Sequence, residues 1–158
     1  EDIESVASEF SGVEHRLEFV RELRGVKYYN SSIDSSPNRT IHTLSVFREN
    51  VVLIAGGKDK NIPYDALGPA ICGKVKTLIL VGPTSDKIEA AVRAADSSQK
   101  DMIKIYHFKN YADAVKCAYE NSVPGDTVLL SPASTSFDLF RNFEERGDVF
   151  KSLVRALE

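Results

Sequence analysis

Apolar and polar positions along the 158-residue chain change period twice. Ile3, Val6, Ala7 and Phe10 fall at helical spacing over residues 2–10, with Gly12 as a stop. The stretch 17–23, a turn at Arg24-Gly25, and 26–29 then read as two strands in a tight hairpin. Past the serine-rich stretch Ser31–Ser36, Pro37 suits the first turn of a helix capped by Ser36 and running to about Phe47. From there the pattern is regular. Strands at 51–55, 76–81, 103–106 and 127–130 alternate with helices at 64–72, 85–96, 111–121 and roughly 137–157. Two helices carry plain stripes, Ile88, Ala91, Val92, Ala95 and Tyr111, Ala114, Val115, Ala118. The strands are apolar throughout rather than alternating, as a parallel sheet covered on both faces requires. These elements predict an α/β fold, a Rossmann-like, doubly wound, mostly parallel sheet of about six strands with an N-terminal hairpin edge.

Composition narrows the class. The chain is 42% hydrophobic and 27% charged, enough for one core, and its apolar runs are strand-sized, far short of the ~18–20 residues that span a bilayer. A net charge of −3 argues against a nucleic-acid surface. Two cysteines make no disulfide framework and suit a reducing compartment, so the expected location is cytoplasmic. The acidic start Glu1-Asp2-Ile3-Glu4 is no secretory signal, and the absence of an initial Met points to a piece of something longer.

In such a sheet ligands bind beyond the carboxyl ends of the strands, so the strand-to-helix loops hold the candidate chemistry. The first, Tyr29–Pro37, is hydroxyl-rich and leads to a helix N-terminus; it reads either as an anion site or as a cap in a solvated loop. The second, Ala55-Gly56-Gly57-Lys58-Asp59-Lys60-Asn61, offers close backbone approach and lysines for a carboxylate or phosphate, though Gly-Gly-Lys also occurs in plain turns. The third, Leu130–Asp138, runs from a strand into Ser131-Pro132-Ala133-Ser134-Thr135-Ser136-Phe137, a second hydroxyl-rich helix start or simply a cap. Other signals fail. Gly68–Val75 mimics a phosphate loop, but Val75 replaces the Ser or Thr that holds Mg²⁺, and a helix leads into a strand rather than the reverse. No G-x-G-x-x-G follows a strand. His15, His42 and His107 show no metal-ligand spacing, so no metal site is expected from this chain. Cys72 and Cys117 read as core residues.

Together with Glu14-His15-Arg16 and Phe143-Glu144-Glu145-Arg146-Gly147, the three loops resemble the C-terminal domain of a Mur ligase over nearly everything from Phe10 to Leu157. The combination Ala55-Gly-Gly-x-Asp-Lys60 with Leu130-Ser-Pro-Ala-x-x-Ser136-x-Asp138-x-Phe140-x-Asn142-Phe143-x-x-Arg146-Gly147 resembles the D-glutamate-adding branch of that family. Branches adding lysine or diaminopimelate typically carry Tyr-Ala-His-x-Pro in the first loop, which this chain lacks. The resemblance implies an ATP-dependent ligase that joins D-glutamate to UDP-N-acetylmuramoyl-L-alanine in peptidoglycan precursor synthesis. An acyl phosphate forms on the UDP-linked carboxylate, and the amino acid's amine attacks it. It further implies that Ser35, Lys60, Ser136, Phe137 and Phe143 hold D-glutamate. Arg16 would reach the ATP phosphates, with Ser31 on the nucleotide side. Ser31 departs from the family's Asn-Asp-Ser, whose aspartate helps hold the nucleotide; Asp34 lies three residues on. Ile33 stands where many relatives have Lys.

The same resemblance assigns residues 1–12 to the hinge or tail of a central ATPase domain and 13–158 to the C-terminal domain. ATP and Mg²⁺ would be bound mainly by that central domain, so this chain alone is expected to be inactive. The implied partners are D-glutamate, the UDP-linked substrate and the N-terminal and central domains of the same polypeptide, with no nucleic acid or membrane. Two alternatives stand beside this reading. One is the equivalent domain of a related amide ligase, such as a folylpolyglutamate synthase, against which the Ser131–Asp138 loop argues. The other is a non-catalytic α/β ligand-binding module; a receiver-like domain would want an acidic cluster and a strand-end Asp where this chain has Gly-Gly.

Overall fold

A computed structural model describes residues 13–158; the helix expected over 2–10 lies outside them. Six strands form one sheet: β1 (Glu18–Leu23), β2 (Val26–Asn30), β3 (Val51–Ala55), β4 (Val75–Val81), β5 (Lys104–Phe108) and β6 (Thr127–Leu130). Their spatial order is β1-β2-β6-β3-β4-β5. The β1–β2 hairpin is antiparallel, and every other pairing is parallel. The helices are α1 (Pro37–Leu44), α2 (Leu67–Lys74), α3 (Ser85–Ala94), α4 (Tyr111–Glu120) and α5 (Phe143–Arg155). This is the doubly wound sheet with a hairpin edge that the pattern predicts.

The all-apolar strands are buried on both faces because successive side chains point opposite ways. Leu53, Leu78, Leu80 and Leu129 join Leu44, Ile71 and Val92 of α1, α2 and α3 in one core. Val52, Ile54, Ile79 and Leu130 join Val115, Phe150 and Val154 of α4 and α5 in the other. Cys72 and Cys117 sit one in each, buried and free, where burial pushes both thiols up. No helix among the described residues is long and apolar enough to cross a membrane.

Several boundaries move for local reasons. Helix α1 begins as expected, with Ser36 Oγ accepting from Arg39 N at 3.4 Å and Pro37 in the first turn, but it ends at Leu44. Helix α2 starts at Leu67 rather than 64, because Tyr64 is held in the preceding loop by its hydroxyl, 2.9 Å from Ser134 Oγ. The last helix starts at Phe143, not 137. Ser136 O accepts from Leu139 N and Phe140 N in a single turn, and the helix then waits for Asn142, whose Oδ1 accepts from Glu145 N at 2.8 Å. The anion-binding helix start expected at Ser136 is therefore a turn, and the N-terminus it would have supplied belongs to Phe143.

Candidate functional site

Strand order decides what the loops can do together. Asn30, Leu130 and Ile54 lie in register across β2, β6 and β3, so three chains leave the sheet side by side. The hydroxyl-rich, Gly-Gly and Ser-Pro-Ala loops are neighbours although about 100 residues separate the first from the last. They are also stitched to one another. Gly56 N donates to Pro132 O at 2.8 Å, Lys58 N to Thr135 O at 2.9 Å, Ser31 N to Leu130 O at 2.8 Å, and Ala133 N to Asp34 O at 2.9 Å.

The glycines serve this stitching. Gly56 stands at φ 110, and a Cβ there would run into the Val81 backbone; one on Gly57 would meet the Thr135 carbonyl and lie 3.0 Å from Ser134 Cβ. The close approach the sequence suggested is to the protein's own backbone. Thr84, just ahead of α3, makes no capping bond; its buried Oγ1 accepts from Gly57 N at 3.0 Å and lies 2.8 Å from Ser134 Oγ.

Of the residues expected to hold an amino acid, Lys60 and Phe137 come together directly. The Lys60 ammonium is 6.0 Å from the Phe137 ring centroid, and both side chains are exposed, Phe137 by 56%. Ser136 is buried beside them, at the turn that projects Phe137. Phe143 enters α5 with its carbonyl accepting from Ser32 Oγ at 2.7 Å, so it is tied to the first loop. Ser35 is half-buried next to the Ser36 cap of α1. A cationic head, an aromatic face and hydroxyls thus ring the ends of three strands, a donor set suited to a small molecule bearing carboxylates.

On the other side of the first loop, Arg16 is exposed and lines a cavity of about 620 Å³ with Leu17, Arg39 and His42. Ser31 is fully buried, and its Oγ accepts from Leu17 N at 3.1 Å. It therefore touches the backbone beside Arg16. Asp34 is also buried in this cavity's wall; Thr43 Oγ1 and Ser131 Oγ each donate to its Oδ2 at 2.7 Å. Burial pushes the Asp34 carboxyl up, against the pull of those hydroxyls.

Three buried polar side chains, those of His15, Lys151 and Arg146, were not among the expected site residues. His15 is 3% exposed at φ 65, its Nδ1 accepting from Asn30 Nδ2 at 3.0 Å. Glu14, His15 and Asp148 hold ligand atoms within 4.8 Å of one another, but the Lys151 ammonium sits among them, 2.9 Å from Glu14 Oε2 and 3.1 Å from Glu18 Oε2. Burial works against that ammonium's charge, yet Glu14 and Glu18 outweigh it and hold its pKa above the ordinary value. The cluster's cation is a lysine. The third residue, Arg146, is 1% exposed beneath the loops.

The fold is that of a doubly wound α/β domain that brings Lys60 and Phe137 together beyond its strand ends. Its family is more particular. The model for "Mur ligase, glutamate ligase domain" matches residues 15–134, and the chain belongs to that family. It is 55% identical over 161 residues to the UDP-N-acetylmuramoylalanine--D-glutamate ligase of Ruminiclostridium cellulolyticum, covering 100% of this chain and 34% of that protein. It is 54% identical to the enzyme of the same name from Acetivibrio thermocellus, over 99% of this chain and 34% of that one. The chain thus spans about a third of the length of these relatives. Among solved structures, a murein peptide ligase from Psychrobacter arcticus superposes with a TM-score of 0.61 at 12% identity, covering 91% of this chain and 30% of that one. The MurF ligase from Thermotoga maritima, in complex with ADP, gives 0.55 at 17%, covering 92% and 32%. At such identities these two bear on the fold alone.

Proposed function

We propose that residues 13–158 are the C-terminal, amino-acid-presenting domain of an ATP-dependent, ADP-forming ligase that adds D-glutamate to UDP-N-acetylmuramoyl-L-alanine in peptidoglycan precursor synthesis, a cytoplasmic reaction. The observation that carries this reading is the 55% identity, along the whole chain, to a protein of that name. Residues 1–12 then belong to the hinge or tail of the preceding ATPase domain. The UDP-linked carboxylate takes the γ-phosphoryl of ATP, releasing ADP, and the D-glutamate amine displaces phosphate from the resulting acyl phosphate to leave an amide. ATP and Mg²⁺ fall mainly to the preceding domain, so this chain alone turns nothing over.

What this chain supplies is position. Lys60, with Ser35, Ser136, Phe137 and Phe143 around it, holds the D-glutamate carboxylates so that the amine faces the acyl phosphate. The exposed Arg16 reaches toward the ATP phosphates. Ser31, buried against Leu17 N, supports Arg16 through the backbone rather than by touching the nucleotide.

The test is kinetic, in the full-length protein, following ADP release with UDP-N-acetylmuramoyl-L-alanine, ATP and Mg²⁺. D-glutamate is expected to drive turnover and L-glutamate or D-alanine is not. Hydrogen bonds to charged groups set the scale, so Lys60→Ala should raise KM for D-glutamate by about ten- to a hundredfold and leave that for the UDP-linked substrate nearly unchanged. Asn61→Gly is the control, because Asn61 stands at φ 59, where alanine would be strained. Wild-type D-glutamate dependence in Lys60→Ala would remove the substrate assignment from this loop.

A further inference from the structure

Beneath the crevice, out of reach of any ligand, Arg146 donates from three nitrogens: Nε to Ser32 Oγ at 2.9 Å, Nη2 to Ser32 O at 2.6 Å, and Nη1 to Ser134 O at 2.8 Å. Both serines pass the connection on through their hydroxyls. Ser32 Oγ donates to Phe143 O at 2.7 Å. Ser134 Oγ lies 2.9 Å from Tyr64 Oη and 2.8 Å from Thr84 Oγ1, which takes Gly57 N. From one planar fork the network reaches the segments that carry Ser35, Ser136, Phe137 and Phe143, and through Gly57 the loop of Lys60.

We propose that Arg146 is the positioning residue of the amino-acid pocket, fixing the distance between its walls and hence its fit to a dicarboxylic amino acid. This rests on the D-glutamate reading above. The argument is one of cost and geometry. Burying a guanidinium is expensive, and apolar packing stabilises a helix against a sheet as well or better. Burial does press this guanidinium's pKa down, against Tyr111, Asp138 and Asp34, which favour its charge. A charge retained at that cost is explained by what only the fork can do: hold Ser32 by two atoms and Ser134 by a third in one plane. Lysine keeps the charge and loses the plane.

In the full-length ligase, Arg146→Lys is therefore expected to raise KM for D-glutamate by about tenfold or more, with the constants for ATP and the UDP-linked substrate within about twofold of wild type. Ser32→Ala, which removes the atom joining Arg146 to Phe143, should shift the same constant. The double variant should cost less than the product of the two, because one network is cut twice. Lys60→Ala, measured alongside, separates the failures. If it raises KM for D-glutamate while Arg146→Lys and Ser32→Ala do not, the positioning role is overturned and the ligase reading stands. If none of the three moves it, the D-glutamate reading falls and takes this proposal with it. If Arg146→Lys raises all three substrate constants together, the residue holds the domain in general and the proposal is wrong. Should Arg146→Lys fail to fold, Ser32→Ala alone decides by the same D-glutamate criterion.

Discussion

Gly147, one turn into α5, is pressed against the loop that carries Arg16, and adding a single methyl there tests that packing. An alanine Cβ at 147 would fall on His15 Nδ1, 2.7 Å from its Cε1 and 3.0 Å from Asn30 Nδ2. The imidazole has little freedom to yield, since it is 3% exposed, accepts from Asn30, and meets the Phe143 ring edge-on at 6.0 Å. Restoring ordinary contact needs a displacement of roughly an ångström, which the close-packed surroundings resist. Overpacking of this kind costs about 1–3 kcal/mol. Replacing a helical glycine by alanine returns roughly 0.5–1 kcal/mol of propensity, so the clash wins. At the middle of both ranges the net loss is about 1 kcal/mol, which corresponds to a fall in Tm of roughly 2–4 °C for a domain of this size. Urea unfolding of the purified chain should show a lower midpoint at constant m. His15→Ala removes the obstacle, so the loss on Gly147→Ala should shrink or vanish in the His15→Ala background. An unchanged midpoint for Gly147→Ala, or a loss that simply adds to that of His15→Ala, would refute the contact.

Two further outcomes follow from the same geometry. Gly73, in the last turn of α2, has nothing within 4 Å of the place an added methyl would take, so Gly73→Ala should gain about 0.5–1 kcal/mol in the same assay; a loss would contradict the packing assigned to α2. Asp34 has its folded pKa raised by burial, so its favourable contribution is complete below the unfolded carboxylate pKa and is lost as pH rises through the folded value. The stability of Asp34→Asn relative to wild type should therefore rise between acid and neutral pH, and a difference that is flat or falls over that range would mean Thr43 and Ser131 outweigh the burial.

The fold was legible because its information is local and periodic. Val51–Ala55, apolar at every position, can only be a strand covered on both faces, and Ser36-Pro37 fixes where α1 begins. The motifs that carry the proposed site residues were legible in the sequence, but the buried residues beneath them were not. A charged side chain in a helix reads as solvated, yet Arg146 precedes Phe150 and Val154 at intervals of four on the stripe that faces the core. That spacing was the available signal for its burial. Likewise Asn142 with Glu145 three residues on marks the true start of α5 by its capping pattern, whereas Ser134, in the equally cap-rich Ser134–Asp138, spends its hydroxyl on Tyr64 and Thr84. Competition between local capping and distant partners cannot be read one segment at a time.

The insertion of β6 between β2 and β3 is what brings the loops of the proposed site together. Were the strands to pair in chain order, the first and third loops would lie at opposite sides of the sheet, and no side chain could bridge Ser32 and Ser134. Because the last strand enters beside the second, α5 leaves the sheet beneath the first loop, and a residue one turn into it can grip both. The helix start at Phe143 rather than 137 matters for the same reason. Six residues between 137 and 142 lie outside α5, and they let Phe137 turn toward Lys60 before the helix begins. A helix running from 137 would bind the Phe137 backbone into its own first turn. Loop conformation, strand order and the buried fork are thus one arrangement, and on the proposed reading the exposed groups at the strand ends are positioned by the buried ones under them.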